Sequence, residues 1–200
     1  MIVLDASGSM WGQIEGRTKV EIAREVLAEV LAGVPPETEL GLVVYGHRTR
    51  GDCADIEVAV AAAPGTGPAI VDFANRTRFQ GKTPLTDAVR VAAEALRSTE
   101  EKATVILVTD GIETCEADPC ALGAELEATG VDFTAHVVGF GLSADDGRAV
   151  ACLAEATGGA YLPAADAAQL TEALSRTVVA EPAPEPAPDV AGAGRGVSTA

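Results

Sequence analysis

Five side chains between positions 5 and 110 carry the oxygen atoms that a metal ion would need. They comprise two carboxylates and three hydroxyls and belong to Asp5, Ser7, Ser9, Thr83 and Asp110. Gly8 separates the two serines, so a tight loop can direct both hydroxyls to one point. Oxygen ligands without histidine or thiolate suit the hard cations Mg²⁺, Ca²⁺ and Mn²⁺. We therefore expect a divalent-cation site built from these residues.

The neutral hydroxyls determine what such a site would do. They leave positive charge on the ion, which favours a carboxylate from another protein as the final ligand. Direct ligation by both Asp5 and Asp110 would neutralise the ion, so we expect at least one of them to act through water. The site is therefore predicted to dock an acidic residue of a protein partner.

The elements around these residues alternate between apolar runs and stretches with helical periodicity. Strands separated by helices indicate right-handed βαβ units. The expected fold is a Rossmann-like α/β fold, an open, doubly wound, mostly parallel six-stranded sheet with one antiparallel edge strand and helices on both faces. Strands are predicted at 2–4, 40–45, 56–60, 103–109, 131–140 and 160–162. Helices are predicted at 18–33, 68–77, 85–96, 119–129 and 144–157, with a last one carrying Leu170, Leu174 and Val178.

The predicted topology brings the oxygen-bearing segments together. Ligand sites in open α/β sheets lie beyond the carboxyl ends of the strands. Asp5 directly follows the first strand, and Asp110 follows the strand at 103–109. Thr83 precedes Pro84 at a predicted helix start, where its side chain would also suit an N-cap. We expect all three segments at one edge of the sheet.

The motif Asp5-x-Ser7-x-Ser9, with the distant Thr83 and Asp110-Gly111, resembles the metal-ion-dependent adhesion site (MIDAS) of von Willebrand factor A domains. The resemblance covers residues 1–179 and extends to bacterial members of the family. It is carried there by Met10-Trp11-Gly12, Tyr45-Gly46-His47-Arg48, Gly81-Lys82-Thr83-Pro84-Leu85 and Thr109-Asp110-Gly111-Ile112-Glu113-Thr114.

The resemblance implies a role for each residue of the motif. Ser7, Ser9 and Thr83 would bind the metal through their hydroxyls. Asp5 and Asp110 would lie in the first or second coordination sphere, and an Asp or Glu of a partner would complete the octahedron. The chain would then be an adhesion or docking module that binds Mg²⁺, or else Ca²⁺ or Mn²⁺, and not an enzyme.

Two other functions are alternatives to an adhesion or docking module. The first is a subunit of a cytoplasmic chelatase-like or ATPase-associated complex, in which the metal site would dock a motor subunit. The second is a metal-dependent phosphohydrolase with Asp5 as nucleophile. Phosphatases of that kind place a second Asp two residues later as acid and base, and Ser7 occupies that position here. Catalysis is therefore disfavoured.

Composition excludes further classes of partner. The net charge of −16 argues against nucleic acid, because phosphate binding needs clustered Lys and Arg. No apolar run is long enough to predict a membrane span. No secretory signal peptide is recognisable either, because a predicted strand follows Met1 directly.

Four cysteines allow three disulfide pairings. Cys115 and Cys120 flank a short loop and could form a local bridge, which would leave Cys53 with Cys152, but the sequence leaves the connectivity open. An even count favours an extracytoplasmic location, whether secreted, periplasmic or on the cell surface. Four free thiols in a cytoplasmic protein are the alternative.

Three residues next to the predicted site are candidate partner contacts. Trp11 follows the serine loop and would either line the docking surface or pack beneath the loop. His47 and Arg48 end the second strand at the same edge, where a structural role is favoured over contact with a partner's acid. The predicted domain spans 1–179, and 180–200, with its EPAPEPAP run, is predicted to be a disordered linker or tail.

Overall fold

The computed structural model describes residues 1–97, 102–128 and 132–178. A six-stranded sheet forms its centre. Its strands are β1 (Ile2–Asp5), β4 (Glu39–Tyr45), β5 (Ile56–Pro64), β6 (Ala103–Thr109), β7 (Phe133–Phe140) and β8 (Tyr161–Ala164), while β2 and β3 form a separate hairpin described below. The order across the sheet is β5-β4-β1-β6-β7-β8. All neighbouring strands are parallel except β4 and β5, which pair as an antiparallel hairpin at one edge. The predicted fold class is confirmed.

Helices cover both faces of the sheet and divide the core into two apolar clusters. One cluster lies under α1 (Lys19–Ala32), α2 (Gly67–Arg76) and α6 (Ala167–Val178). The other lies under α3 (Leu85–Arg97), α4 (Pro119–Ala128) and α5 (Ala144–Ala156). Central strands β1 and β6 are buried on both faces, as their continuous apolar sequences predict. This rigid centre ends at Asp5 and Asp110, so it fixes the positions of both carboxylates.

The start of α1 is held by a capping box. Thr18 Oγ1 accepts a hydrogen bond from the Glu21 amide at 3.2 Å, and the Glu21 carboxylate accepts one from the Thr18 amide at 2.9 Å. Such reciprocal bonds satisfy amide groups that the first turn leaves unpaired. The capping box therefore fixes the first residue of the helix, Lys19, at the carboxyl edge of the sheet.

The segment between Ser9 and α1 contains structure that the apolar pattern did not predict. Gly8–Trp11 forms a short 3₁₀ helix, and β2 (Gln13–Ile14) pairs with β3 (Arg17–Thr18) as a small antiparallel hairpin. Glu15 and Gly16 form its turn with φ values of 51° and 82°. The strands have two residues each, which is too short for a period-two pattern to emerge.

The local Cys115–Cys120 bridge that the sequence allowed is not formed. Cys53 pairs with Cys115 and Cys120 pairs with Cys152, so the cysteines at 115 and 120 are not joined to each other. Cys120 lies in the first turn of α4, which packs against α5 and so faces Cys152. Cys115 lies in the loop after β6, beside the β4–β5 loop that carries Cys53. The proximity of these loops, and not separation along the chain, decides the pairing.

None of the helices in the described part of the chain has the length and apolarity that crossing a bilayer requires. Residues 179–200, which include the predicted tail, lie outside the described residues.

Candidate metal centre

The loop after β1 is folded around the Asp5 carboxylate. Asp5 is fully buried; its Oδ1 accepts a hydrogen bond from the Ser7 amide at 2.7 Å, and its Oδ2 accepts one from the Thr109 hydroxyl at 2.8 Å. These bonds turn the chain so that Ser7 and Ser9 converge, with their Oγ atoms 2.8 Å apart. Ser9 Oγ in turn donates to Asp110 Oδ1 at 2.6 Å. Four of the five predicted site residues therefore form one hydrogen-bonded cluster.

Thr83 reaches the cluster because two glycines allow close contact between backbones. Gly81 lies against Gly46, and a Cβ atom on Gly81 would come within 2.6 Å of the Gly46 Cα. The Gly81 amide donates to the Gly46 carbonyl at 2.8 Å, and the Gly8 amide donates to the Gly81 carbonyl at 3.1 Å. The segment before α3 is thereby attached to the serine loop, so the fifth predicted residue joins the other four.

The loop after β6 holds Thr83 from the other side. The Thr114 hydroxyl accepts a bond from the Thr83 amide at 2.8 Å, and the Thr114 amide donates to the Thr83 carbonyl at 3.1 Å. Glu113 accepts bonds from the amides of Thr86 at 2.9 Å and Cys115 at 2.6 Å. Glu113, and not Thr83, therefore caps the first turn of α3, which leaves the Thr83 side chain available for another role.

The Thr83 hydroxyl is available as a further oxygen ligand. The residue is only 4% exposed, and its hydroxyl makes no hydrogen bond within the described part of the chain, but the oxygen is not among the fully buried unpaired atoms, so solvent reaches it. Thr83 Oγ1 and Ser9 Oγ both border Gly111, where an imagined Cβ would be 3.8 Å from the first and 3.6 Å from the second. An accessible, unpaired oxygen at this position fits an ion that the hydroxyls would share.

Burial and the neighbouring carboxylate make the Asp5 charge unfavourable without a cation. Desolvation raises the pKa of Asp5 above its ordinary value, and the nearby Asp110 charge raises it further, against the hydrogen bonds from Ser7 and Thr109. The same burial, together with the Asp5 charge, raises the pKa of Tyr45, whose hydroxyl donates to Thr109 Oγ1 at 3.2 Å. A bound divalent cation would relieve this repulsion.

Asp110 is neutralised in part by a lysine that the sequence analysis did not identify. Lys19 Nζ lies 2.9 Å from Asp110 Oδ2, and the Asp110 side chain is fully buried. Both Asp110 oxygens are therefore engaged, Oδ1 by Ser9 and Oδ2 by Lys19. This arrangement suits a carboxylate that acts on a metal through water.

The donor set fits a hard cation. Ser7, Ser9 and Thr83 would hold the ion through hydroxyls, with Asp5 and Asp110 supplying negative charge beside it. In the described residues no three side chains of the His, Cys, Asp and Glu types come together, so the soft or nitrogen-rich donors of a structural zinc site do not gather there. The metal-binding role of the five residues stays a prediction.

Of the three candidate partner contacts, Trp11 and Arg48 are exposed and His47 is buried. Trp11 is 57% exposed while its indole Nε1 donates to the Phe79 carbonyl at 2.7 Å. His47 contacts Glu57 at 3.0 Å. The Arg48 side chain is 48% exposed and donates to the Asp55 carboxylate at 2.7 Å. His47 and Arg48 therefore have partners within the β4–β5 hairpin, and a partner contact for any of the three residues stays a prediction.

The residues that sequence reasoning missed are those that position the predicted ligands. Thr109, Glu113 and Thr114 lie in the run Thr109–Thr114 that carried the family resemblance, so a signal existed but no role could be read from it. Lys19 gave no signal, because nothing in its local sequence points to Asp110, which is 91 residues away.

The affinity for a metal is expected to fall as the pH is lowered through the pKa of Asp5. Protonation removes the negative charge that attracts the cation, and the raised pKa of Asp5 places this loss of affinity above the ordinary carboxyl range near pH 4. The stability of the metal-free protein should change in the opposite sense. The folded state binds this proton more readily than the unfolded state does, so the contribution of Asp5 rises as pH falls through the same window.

Mn²⁺ titrations and thermal melts between neutral pH and about pH 4 check both trends. An Mn²⁺ affinity that stays constant over this range would contradict the assignment of Asp5.

Comparison with known proteins agrees with this geometry. A family model described as von Willebrand factor type A domain matches residues 1–113. The chain is 29% identical over 185 residues to the uncharacterized protein YwmD of Bacillus subtilis (strain 168), which covers 88% of this chain and 82% of that protein.

Solved structures share the fold. The von Willebrand factor type A structure from Catenulispora acidiphila has a TM-score of 0.65 and 22% identity, covering 88% of this chain and 41% of that one. Proximal thread matrix protein 1 from the mussel byssus, solved with zinc in its MIDAS motif, has a TM-score of 0.62 and 18% identity, covering 88% and 43%. This chain spans less than half of either of these two solved chains, and at these identities the likeness concerns the fold alone.

Proposed function

The chain belongs to the von Willebrand factor type A domain family, and from that premise we propose that it is a divalent-metal-dependent protein-binding module. Domains of this family are generally interaction modules, and some bind metal. The observation that carries the proposal is the convergence of the Ser7 and Ser9 hydroxyls on the Asp110 carboxylate, with the unpaired Thr83 hydroxyl at the same edge of the sheet. A divalent cation there would present a free coordination position to a carboxylate of the partner.

Each residue of the cluster has a distinct task in this proposal. The hydroxyls of Ser7, Ser9 and Thr83 would hold the ion without cancelling its charge. Asp5, bonded to the Ser7 amide, fixes the loop and supplies one negative charge. Asp110 supplies a second through Ser9 or water. Because the cluster lies at the carboxyl edge of the sheet, with Ser9 exposed, a partner's side chain can reach it.

The surface around the cluster suits an acidic partner segment with apolar flanks. Of the three large hydrophobic side chains that are exposed in the described residues, Trp11 and Ile112 lie in the two loops that carry the candidate ligands. Arg78 and Lys82 are exposed in the loop before α3, and neither has an ion-pair partner among the described residues. Basic side chains without an ion pair are notable in a chain with net charge −16. They would attract acidic residues of the partner that neighbour the metal-binding Asp or Glu.

Two observations favour this function over the alternatives. Two disulfides are consistent with an extracytoplasmic protein and fit poorly with a cytoplasmic chelatase-like complex. Phosphatases with an Asp nucleophile need a second catalytic acid two residues later. In this chain Ser7 occupies that position, and its hydroxyl is hydrogen-bonded to Ser9. We therefore propose a role without catalysis.

Selection of peptides from a random displayed library on the Mn²⁺-loaded protein tests the proposal. We expect the bound peptides to share an Asp or Glu, to be released by a chelator, and to lose binding when that residue becomes Asn or Gln. Thr83→Ala should bind none of them, while the control variant Thr171→Ala, at a remote and partly exposed position, should bind normally. Peptides that bind equally well with chelator present, or to Thr83→Ala, would overturn the proposal.

Reversal of the free positive charges should weaken peptide binding without removing the metal. Arg78→Glu/Lys82→Glu is expected to reduce the affinity for an acidic selected peptide roughly three- to tenfold, since each exposed charge pair contributes less than about 1 kcal/mol. Fluorescence anisotropy at low and high salt measures the effect, which should shrink as salt screens it. Lys102→Glu, an exposed lysine at the opposite edge of the sheet, is the matched control. Equal losses in both variants would refute a local role for these bases.

A further inference from the structure

Lys19 is placed beside the candidate metal centre in a way that an ordinary surface lysine is not. Its side chain is only 13% exposed, and its Nζ donates to Asp110 Oδ2 at 2.9 Å. Asp110 belongs to the loop after β6, whereas Lys19 is the first residue of α1. The ion pair thus joins two elements that are distant in sequence, and the lysine contacts the buried carboxylate directly.

The backbone leaves room for the Lys19 side chain to reach Asp110. The side chain passes Gly141, where an added Cβ would come within 3.0 Å of Lys19 Cε and 3.2 Å of Nζ. It also passes Gly12, where an added Cβ would meet Cε at 3.7 Å. The Lys19 amide donates to the Gly12 carbonyl at 2.8 Å, so the backbone of the lysine is fixed as well. A side chain at Gly141 would therefore press against the lysine on its route to Asp110, whereas one at Gly12 would only touch it.

The charges at the centre can be added from these contacts. Asp5 and Asp110 contribute two negative charges and Lys19 one positive charge, which leaves one net negative charge before a metal binds. A divalent ion would bring the centre to one net positive charge. Without Lys19 the same ion would give a neutral centre, which would have little attraction for an acidic ligand.

We propose that Lys19 is an internal counter-charge that weakens metal binding in the free protein and keeps the metal-loaded centre positive for an anionic ligand. This inference rests on the proposed metal-dependent function. When no metal is bound, Lys19 partly substitutes for a cation, because its positive charge stabilises the ionised Asp110. It also opposes the entry of the ion by repulsion. When the ion is bound, the same positive charge favours a carboxylate as the next ligand.

Removal of the charge should therefore have two opposite effects. In Lys19→Met the buried carboxylates lose their compensation, so the metal-free protein is expected to melt at a lower temperature. Mn²⁺ alone should bind more tightly, at least about fivefold, because repulsion between a unit charge and a divalent ion is of the order of 1–2 kcal/mol even in high dielectric. The rise in melting temperature caused by Mn²⁺ should then be larger in the variant than in the wild type.

Lys19→Gln separates the charge from the hydrogen bond. Glutamine can still donate to Asp110 but carries no charge, so it should bind Mn²⁺ more tightly, as Lys19→Met does, and with less loss of metal-free stability. Lys102→Met, at the opposite edge of the sheet, should leave both quantities unchanged. A lysine that merely orients Asp110 would predict wild-type Mn²⁺ affinity in Lys19→Gln and weaker binding in Lys19→Met.

Calorimetric titration of the four proteins with Mn²⁺, together with thermal melts, decides between these outcomes. Tighter binding in both Lys19 variants supports the inference. If the wild type binds and Lys19→Gln binds equally or less tightly, the inference is overturned while the proposed function stands. If only the Lys19 variants bind, the counter-charge is supported and the metal-dependent function of the natural chain fails. If none of the proteins binds, both are overturned.

Discussion

Asp5→Asn is expected to abolish metal binding while the fold persists. Asp5 supplies a full negative charge at the centre of the cluster, and its loss should lower the affinity for Mn²⁺ at least about a hundredfold. Asparagine has nearly the same shape, and its carbonyl oxygen can still accept the bond from the Ser7 amide that Asp5 Oδ1 accepts at 2.7 Å. The geometry of the loop is therefore expected to survive the change.

The Thr109 hydroxyl can adapt to the new amide group. It now donates to Asp5 Oδ2 at 2.8 Å and lies 3.0 Å from the Gly111 carbonyl, which it can use as an alternative acceptor. The hydroxyl can then accept from the asparagine amide. Because desolvation and Asp110 both disfavour the Asp5 charge, its removal should not lower the free energy of unfolding of the metal-free protein.

Calorimetry with Mn²⁺ and thermal melts with and without the ion measure these expectations. Asp72→Asn, at an exposed position on α2, is a matched control that should behave as the wild type. Retained Mn²⁺ binding in Asp5→Asn would show that the cation site lies elsewhere.

The two disulfides are expected to differ in their effect on the metal although each stabilises the fold. Cys53–Cys115 joins the β4–β5 loop to the loop after β6, in which Thr114 accepts a hydrogen bond from the Thr83 amide and so holds Thr83 in place. Cys120–Cys152 joins α4 to α5, away from the cluster. Serine replacement of either pair should lower the free energy of unfolding by about 2–4 kcal/mol. Only Cys53→Ser/Cys115→Ser should also lower the affinity for Mn²⁺, because the position of Thr83 is then less well fixed.

Urea denaturation and Mn²⁺ titration of both double variants test this difference. Equal losses of affinity in the two variants, or an unchanged affinity in Cys53→Ser/Cys115→Ser, would contradict the role given to the loop after β6.

The parts of this molecule that sequence could predict are those encoded locally. The buried strand at 103–109 and the helix preceding Pro35 have periodicities that a short window reveals, and parallel connection of such elements leaves few topologies. The same rule brought Asp5 and Asp110 to one edge. The candidate ligands lie together in the structure as expected, because each follows or precedes an element whose position the topology fixes.

The parts that could not be predicted depend on contacts between distant segments. Cys53 and Cys115 are 62 residues apart, and nothing near either one indicates the other. Glu113 replaces Thr83 as the cap of α3 only because the loop after β6 folds over the helix start. The Lys19 side chain reaches Asp110 past Gly141, where an added Cβ would come within 3.0 Å of Lys19 Cε.

Titration of the metal-free protein with Mn²⁺ and Mg²⁺, beside the Ser7→Ala/Ser9→Ala double variant, tests the central claim most directly. The account predicts saturable binding at one site per chain in the wild type and none in the variant, whose Asp5, Thr83 and Asp110 are unchanged. Equal binding by the two proteins, or no binding by the wild type, would contradict it.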